Sequence, residues 1–260
     1  MKRWLAALLC VLLVSTRVAA DDAAEQAQSP AEDYKALVDE YDEVGGAKEF
    51  AARFFELADK HAQHPEAIDA LVWVLTKRRT QPEALRAIEL LQKRYLQSKD
   101  LGRACRSISR VPSLSAENLL RTIVVSNKVP GVRAEACYYH ASLLERKAEI
   151  VGQLSGEREL AERVLEYYGE DYGKHLMSID RVKVSEQLEQ VYQQMAESFG
   201  DVKINDEKMG EIATQALFRI RYLSIGRVAP EIESEDVSGT TFKLSDYRGK
   251  VVVLSFWGHW

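Results

Sequence analysis

The chain has 260 residues, of which 46% are hydrophobic and 29% are charged, an ordinary composition for a soluble globular protein with one large domain or two smaller ones. Its formal net charge of -5 at pH 7 argues against a nucleic-acid-binding protein, which normally presents a basic face. The compact basic run KRR at residues 77–79 is interpreted as the solvated C-terminal turn of a helix, where cations interact favourably with the negative end of the helix dipole.

The first twenty residues have the pattern of an export signal. Lys2 and Arg3 precede the apolar run LAALLCVLLV, and Val18 and Ala20 stand at the positions that a signal peptidase reads. The apolar run of about ten residues is too short to span a bilayer comfortably. We therefore expect a signal peptide over residues 1–20, cleaved near Ala20, a periplasmic or secreted protein, and no stable membrane span after cleavage. An uncleaved membrane anchor is the alternative.

A polar linker over residues 21–33 is expected to lead into helices over residues 34–226. The stretch AKEFAARFFELADKHA places Phe50, Phe54 and Leu57 on one helical face. Three later helical stretches open at or near Pro65, Pro82 and Pro130, and proline suits the first turn of a helix. These repeated helical hairpins predict a mainly α fold of α-solenoid or tetratricopeptide-like type, although no repeat carries the full tetratricopeptide pattern.

Four local signals refine this helical region. Ser115 is a candidate N-cap for the helix SLSAENLLRTIVVS, and YYGEDYGKHL is interpreted as a loop or a break. The stretch VSEQLEQVYQQMAESFGDVK is predicted to be a helix with Leu188, Met195 and Phe199 on its apolar face. The last helix is EIATQALFRIRYLSIG, with Gly226 as its natural stop.

Two cysteines, Cys105 and Cys137, remain after cleavage of the signal peptide. Both lie in helical patterns, where a buried thiol behaves as a small apolar residue. A disulfide between them is the alternative, because an exported compartment permits it. The spacing alone cannot decide whether the two side chains meet.

The histidines do not predict a metal site. His61 and His64 lie three residues apart, but Pro65 interrupts the helix beside them and no third ligand is marked. An inter-helix turn is the better interpretation. His140 stands among tyrosines and is expected to be a packed or surface histidine. No metal and no cofactor are predicted.

The pattern changes after Gly226 from helical spacing to short β-branched runs. Strands are predicted near residues 231–235 and 240–243, with a turn at 237–239 between them and a tight turn at SDYRG. A further strand is predicted over residues 251–257. Because that strand is apolar on both faces, it is typical of the centre of a sheet covered by helices on both sides.

The final segment, GRVAPEIESEDVSGTTFKLSDYRGKVVVLSFWGHW, resembles the opening of a redoxin domain of the thioredoxin superfamily. This group includes TlpA/ResA-like thiol–disulfide oxidoreductases and AhpC/TSA-type peroxiredoxins. The resemblance implies the truncated start of a thioredoxin-like α/β domain over residues 227–260. The matching landmarks are Ala229–Pro230, Gly239, Phe242, Leu244, the run Ser245, Asp246 and Tyr247, Gly249–Lys250 and the strand that ends at Phe256–Trp257.

In that family, a Phe-Trp-x-x-Trp strand end is followed by Cys-x-x-Cys, whose first cysteine lies at a helix N-terminus that lowers its pKa. The resemblance therefore implies a catalytic cysteine immediately after Trp260. The residues flanking that site are Phe256, Trp257, Gly258, His259 and Trp260. The resemblance implies an exported protein that catalyses thiol–disulfide exchange with protein thiol and disulfide partners, or else peroxide reduction. The chain as written is expected to be inactive.

Two functions remain open. The first is the redoxin-family oxidoreductase, and the second is a helical scaffold that binds partner proteins and carries a vestigial β tail. The ending at Trp260 has three explanations: a broken gene, the edge of a fragment, or a UGA codon for selenocysteine that was read as a stop. Selenocysteine suits the position because a selenol ionises more readily than a thiol.

Overall fold

The structure is a computed structural model that describes residues 29–154, 158–224 and 226–255. The predicted signal peptide and the residues Phe256 to Trp260 lie outside the described residues. The chain divides into two units, Met1–Asp180 and Arg181–Trp260. Within the described ranges, no helix combines the length and apolarity that a membrane crossing requires.

The first unit consists of helices that pack as successive hairpins. Most helices adjacent in sequence pack together, and several helices also contact the helix two places further along the chain. Contacts between every second helix are typical of stacked hairpin repeats, and the predicted mainly α fold is confirmed. The helices are α1 (Pro30–Val44), α2 (Ala47–Lys60), α3 (Pro65–Lys77), α4 (Pro82–Tyr95), α5 (Gly102–Ile108), α6 (Leu114–Ser126), α7 (Pro130–Gln153), α8 (Arg158–Tyr168) and α9 (Glu170–Ser178).

Local signals in the sequence set where these helices begin. Proline occupies the first turn of α3, α4 and α7, as predicted. Helix α1 begins at Pro30, inside the predicted linker, because Ser29 and Glu32 form a reciprocal capping box. The N-cap of α6 is Ser113 and not Ser115: the Ser113 hydroxyl accepts the Ala116 N–H at 3.1 Å, whereas Ser115 lies inside the helix.

The core of the first unit runs along the inner faces of the hairpins. The rings of Phe54 and Trp73 stack with centroids 4.0 Å apart, and Tyr41 meets the Trp73 ring edge-on at 4.9 Å. Leu71 and Leu120 are fully buried. Burying one such side chain stabilises the fold by roughly 1.5–3 kcal/mol, so the repeated apolar faces supply most of the driving force.

The stretch YYGEDYGKHL, interpreted as a loop or a break, contains a break between two helices and no loop. Helix α8 continues to Tyr168 and α9 begins at Glu170, so only Gly169 separates them. Gly169 has φ 80°, a conformation that a residue with a Cβ rarely adopts. A single glycine therefore forms the break between the two helices.

The second unit joins a helical hairpin to a short β segment. The predicted apolar face of α10 (Arg181–Phe199) is buried, and α10 packs against α11 (Met209–Phe218). The sequence did not predict the β1–β2 hairpin between them, where Asn205 and Asp206 both have positive φ. The elements are α10 (Arg181–Phe199), β1 (Lys203–Ile204), β2 (Glu207–Lys208), α11 (Met209–Phe218), a π-helix (Arg219–Leu223), β3 (Glu233–Glu235), β4 (Thr241–Lys243) and a 3-10 helix (Leu244–Tyr247).

Candidate functional site

The redoxin-like segment is organised around one β-hairpin. Strands β3 and β4 pair antiparallel, with Glu233 opposite Lys243. The Asp236 carboxylate closes the turn because it accepts the backbone N–H groups of Ser238 at 2.8 Å and Thr240 at 2.9 Å. Gly239 has φ 80° in the same turn. The two predicted strands and the turn between them are confirmed.

Several of the family landmarks meet beside this hairpin. The Glu231 carboxylate accepts the Ser245 N–H at 2.9 Å, and hydrogen bonds from Ser245 lower the pKa of Glu231. The Phe242 and Tyr247 rings meet edge-on with centroids 6.4 Å apart, and the Lys250 ammonium lies 5.8 Å from the Tyr247 ring centroid. The landmarks are thus neighbours in space as well as in sequence.

The predicted strand over residues 251–257 is wrong for the part that the structure describes. Residues 251–255 form no strand, and Val251 and Val253 are 97% and 88% exposed. The physical reason is pairing, because no strand among the described residues lies beside this run. The predicted flanking residues Phe256, Trp257, Gly258, His259 and Trp260 lie outside the described residues.

Cys105 and Cys137 are both fully buried in the structure. Burial raises the pKa of the Cys105 thiol, to which Glu135 adds, and burial raises the pKa of Cys137 to about 12. Because the thiolate is the reactive form, neither cysteine is suited to attack a disulfide at neutral pH. The prediction of buried thiols, with a disulfide between them as the alternative, stays a prediction.

His61 takes part in a hydrogen-bonded cluster with Asp33 and Lys60 that joins α1 to α2. Its Nε2 atom lies 2.7 Å from Asp33 Oδ2, which also accepts the Lys60 ammonium at 2.5 Å. The His64 ring lies 6.3 Å from the His61 ring. Within the described residues, no group of three or more histidine, cysteine, aspartate or glutamate side chains is placed to hold a metal ion.

Sequence reasoning missed a groove of about 350 Å³ in the first unit. It lies where three inter-helix turns meet, those between α3 and α4, α5 and α6, and α8 and α9, and we call it the three-turn groove. Its apolar walls are formed by Pro82, Leu85, Pro112, Leu114, Tyr168 and Tyr172.

A smaller cavity of about 40 Å³ adjoins this groove and shares Tyr168 and Tyr172 with it. Arg110, Arg146 and Lys147 line the cavity. The Lys147 side chain is only 5% exposed, and its ammonium donates to Glu117 at 2.9 Å. The Arg146 guanidinium donates to the carbonyl oxygen of Ser109. Burial raises the pKa of Tyr172 to about 12.

The basic run at residues 77–79 is more than a solvated helix end. Lys77 is the last residue of α3, as predicted, but Arg79 lines the three-turn groove and donates to the Tyr167 hydroxyl at 2.6 Å. These two residues are 88 positions apart, so no local pattern indicated the contact. The combination of an arginine run and a tyrosine-rich stretch was the available signal.

Comparison with known proteins places the similarity in the β segment. Residues 225–260 match the AhpC/TSA family. Over 38 residues the chain is 47% identical to the thiol-disulfide oxidoreductase ResA of Geobacillus kaustophilus (strain HTA426). It is 45% identical over 38 residues to the protein of that name from Geobacillus thermodenitrificans (strain NG80-2). Each match covers 15% of this chain and 22% of the relative.

No solved structure shows significant similarity to the chain. The family match begins after α11 and the π-helix that follows it, so the α-helices of the described residues lie outside it. The C-terminal segment is therefore similar to the redoxins of the thioredoxin superfamily, as the sequence landmarks predicted.

Proposed function

We propose that this chain belongs to an exported thiol–disulfide oxidoreductase in which helical repeats precede a redoxin domain. The observation that carries the proposal is the similarity to ResA at 45–47% identity, together with the AhpC/TSA match over residues 225–260. The paired landmarks around β3 and β4 support it. The export pattern of residues 1–20 is the basis for proposing a periplasmic or secreted location.

The proposed nucleophile is a cysteine that follows Trp260, flanked by His259 and Trp260. Its thiolate attacks one sulfur of a partner disulfide, forms a mixed disulfide and releases the other sulfur as a thiolate that takes up a proton. The thiolate of a second cysteine then attacks the mixed disulfide. The partner leaves as a dithiol, the enzyme keeps a disulfide, and two electrons have passed to the partner. Peroxide reduction is the variant chemistry.

The test uses the product of the natural gene, expressed through its own stop codon. We expect it to accelerate the dithiothreitol-dependent reduction of insulin, and we expect serine at the first cysteine after Trp260 to abolish that activity. Residues 21–260 alone, tested in parallel, should stay at the uncatalysed rate. A gene with no redoxin remainder in frame, or activity of residues 21–260 that is lost in Cys105→Ser or Cys137→Ser, would contradict the proposal.

A second proposed function concerns the first unit alone. The helical hairpins are proposed to bind a partner protein, because three of their turns enclose the three-turn groove. This function is independent of thiol chemistry. The two functions are compatible, since a binding unit beside a redoxin domain would raise the local concentration of its partner.

A further inference from the structure

Three arginines line the three-turn groove and its adjoining cavity: Arg79 lies in the groove, and Arg110 and Arg146 lie in the cavity. Among the described residues, Arg79, Arg110 and Arg146 form no ion pair with a carboxylate. Nearby carboxylates are already engaged: Glu117 with Lys147, and Glu170 with Lys174. Asp171 is the remaining acidic side chain on the described rim.

This collection of cations does not follow from the overall composition, because the chain has a net charge of -5. Burial lowers the pKa of Arg146, and the neighbouring charge of Arg110 lowers it further. Glu145, Tyr168 and Tyr172 act in the opposite direction. Like charges held close together repel, and an added anion relieves that repulsion. The local charge therefore complements an acidic ligand.

The walls of the groove add apolar and aromatic surface to this charge. Leu85 and Leu114 line it and are 47% and 46% exposed, and Tyr167, which Arg79 contacts, is 51% exposed. Arginine and tyrosine are enriched at protein interfaces, where they anchor a partner. The groove thus offers apolar contacts and guanidinium groups within a single surface.

The helix ends reinforce the same preference. Helices α4 and α9 both begin at the groove, and neither N-cap residue, Gln81 or Gly169, makes a side-chain capping hydrogen bond. The first backbone N–H groups of a helix carry partial positive charge. Acidic side chains in the same first turns, Glu83 in α4 and Glu170 and Asp171 in α9, offset part of that charge.

We propose that the three-turn groove binds an extended, acidic segment of a partner polypeptide. Its carboxylates would pair with Arg79, Arg110 and Arg146, and its apolar side chains would pack on Leu85 and Leu114. A long nucleic acid fits less well, because the chain as a whole is acidic and the walls are apolar. This inference rests on the second proposed function and is independent of the thiol chemistry.

The experiment selects random eight-residue peptides displayed on phage against the whole chain. We expect the selected peptides to combine aspartate or glutamate with leucine or aromatic residues. Their affinity should fall at least about tenfold in the triple variant R79E/R110E/R146E and should weaken as salt is raised. Because charge reversal could disturb folding, the milder R79Q/R146Q variant is tested too, and the helical circular dichroism of every variant is compared.

The matched control variant is R106E/R121E/K128E, which makes the same charge change at exposed positions that do not line the groove. It should bind the selected peptides as the unchanged chain does. The proposal is overturned if no peptide is selected, if the selected peptides are not acidic, or if both triple variants lose affinity equally. It is also overturned if inorganic sulfate binds at the arginines and acidic peptides do not. Insulin reduction is not a readout here, so failure would leave the redox proposal standing.

Discussion

Of two apolar stretches with similar composition in this chain, one is buried and the other is exposed. Residues 71–75 read LVWVL and lie in α3, where Leu71, Val74 and Leu75 are at most 1% exposed. Residues 251–254 read VVVL and are all exposed. The first stretch satisfies its own backbone within a helix and finds neighbours in adjacent hairpins. The second needs strands on both sides, and none is present among the described residues. Apolar sequence becomes core only where another element covers it.

The largest difference in stability is expected when one side chain is truncated in the helical unit and one in the exposed run of residues 251–254. Leu120→Ala removes a fully buried side chain from α6 and should lower the free energy of unfolding by about 2–5 kcal/mol. Val253→Ala, the matched control, removes an exposed side chain and should change it by less than about 0.5 kcal/mol. Urea denaturation followed by circular dichroism measures both. Equal losses would contradict the comparison.

His140 should make the helical unit sensitive to acid. It is 8% exposed, and burial lowers its pKa from 6.5 to about 4, with Arg121 and Lys147 also lowering it and Glu117 opposing them. The unfolded chain therefore binds a proton at higher pH than the folded chain does. The contribution of the neutral His140 imidazole to the free energy of unfolding should be fully present above pH 6.5. The free energy of unfolding should fall by roughly 3 kcal/mol as the pH drops to about 4.

The control for this prediction is His140→Gln, which removes the titrating group. Its free energy of unfolding should vary less between pH 7 and pH 4 than that of the unchanged chain. Identical pH profiles for the two proteins would assign the acid sensitivity to other groups.

The smallest effect is expected in the β-hairpin. Asp236→Ala removes the carboxylate that accepts two backbone N–H groups in the turn. Because the hairpin contributes little buried surface, the free energy of unfolding of the chain should change by less than about 0.5 kcal/mol. The amide resonances of Ser238 and Thr240 should nevertheless shift in an NMR spectrum. Unchanged resonances would show that the turn does not form in solution.

The sequence predicted those features that depend only on residues close together along the chain. The helices that open at proline and the hairpin around Asp236 follow from local backbone preferences. The N-cap of α6 was misplaced because Ser113 and Ser115 offer the same chemistry two positions apart, and only the backbone conformation distinguishes them. Of the loop and the break that the composition allowed near Gly169, the structure has the break, because a single glycine can interrupt a helix without a loop.

The three-turn groove lay beyond such reasoning for a different reason. Arg79 and Tyr167 belong to separate hairpins, and only the stacking of the repeats brings them together. Likewise, the pairing that a strand at residues 251–257 requires depends on segments distant in sequence. Long-range juxtaposition is therefore the information that local patterns did not supply.

Amide hydrogen exchange tests the central claim most directly, namely that a self-sufficient helical unit carries the opening of a redoxin domain. It is measured on the 260-residue chain and on the product of the natural gene. In the 260-residue chain, the amides of α6 should be protected while those of residues 251–255 exchange within seconds. In the gene product, residues 251–255 should be slowed at least about a hundredfold, with α6 unchanged. Protection of residues 251–255 in the monomeric 260-residue chain, or its absence in the gene product, would contradict the account.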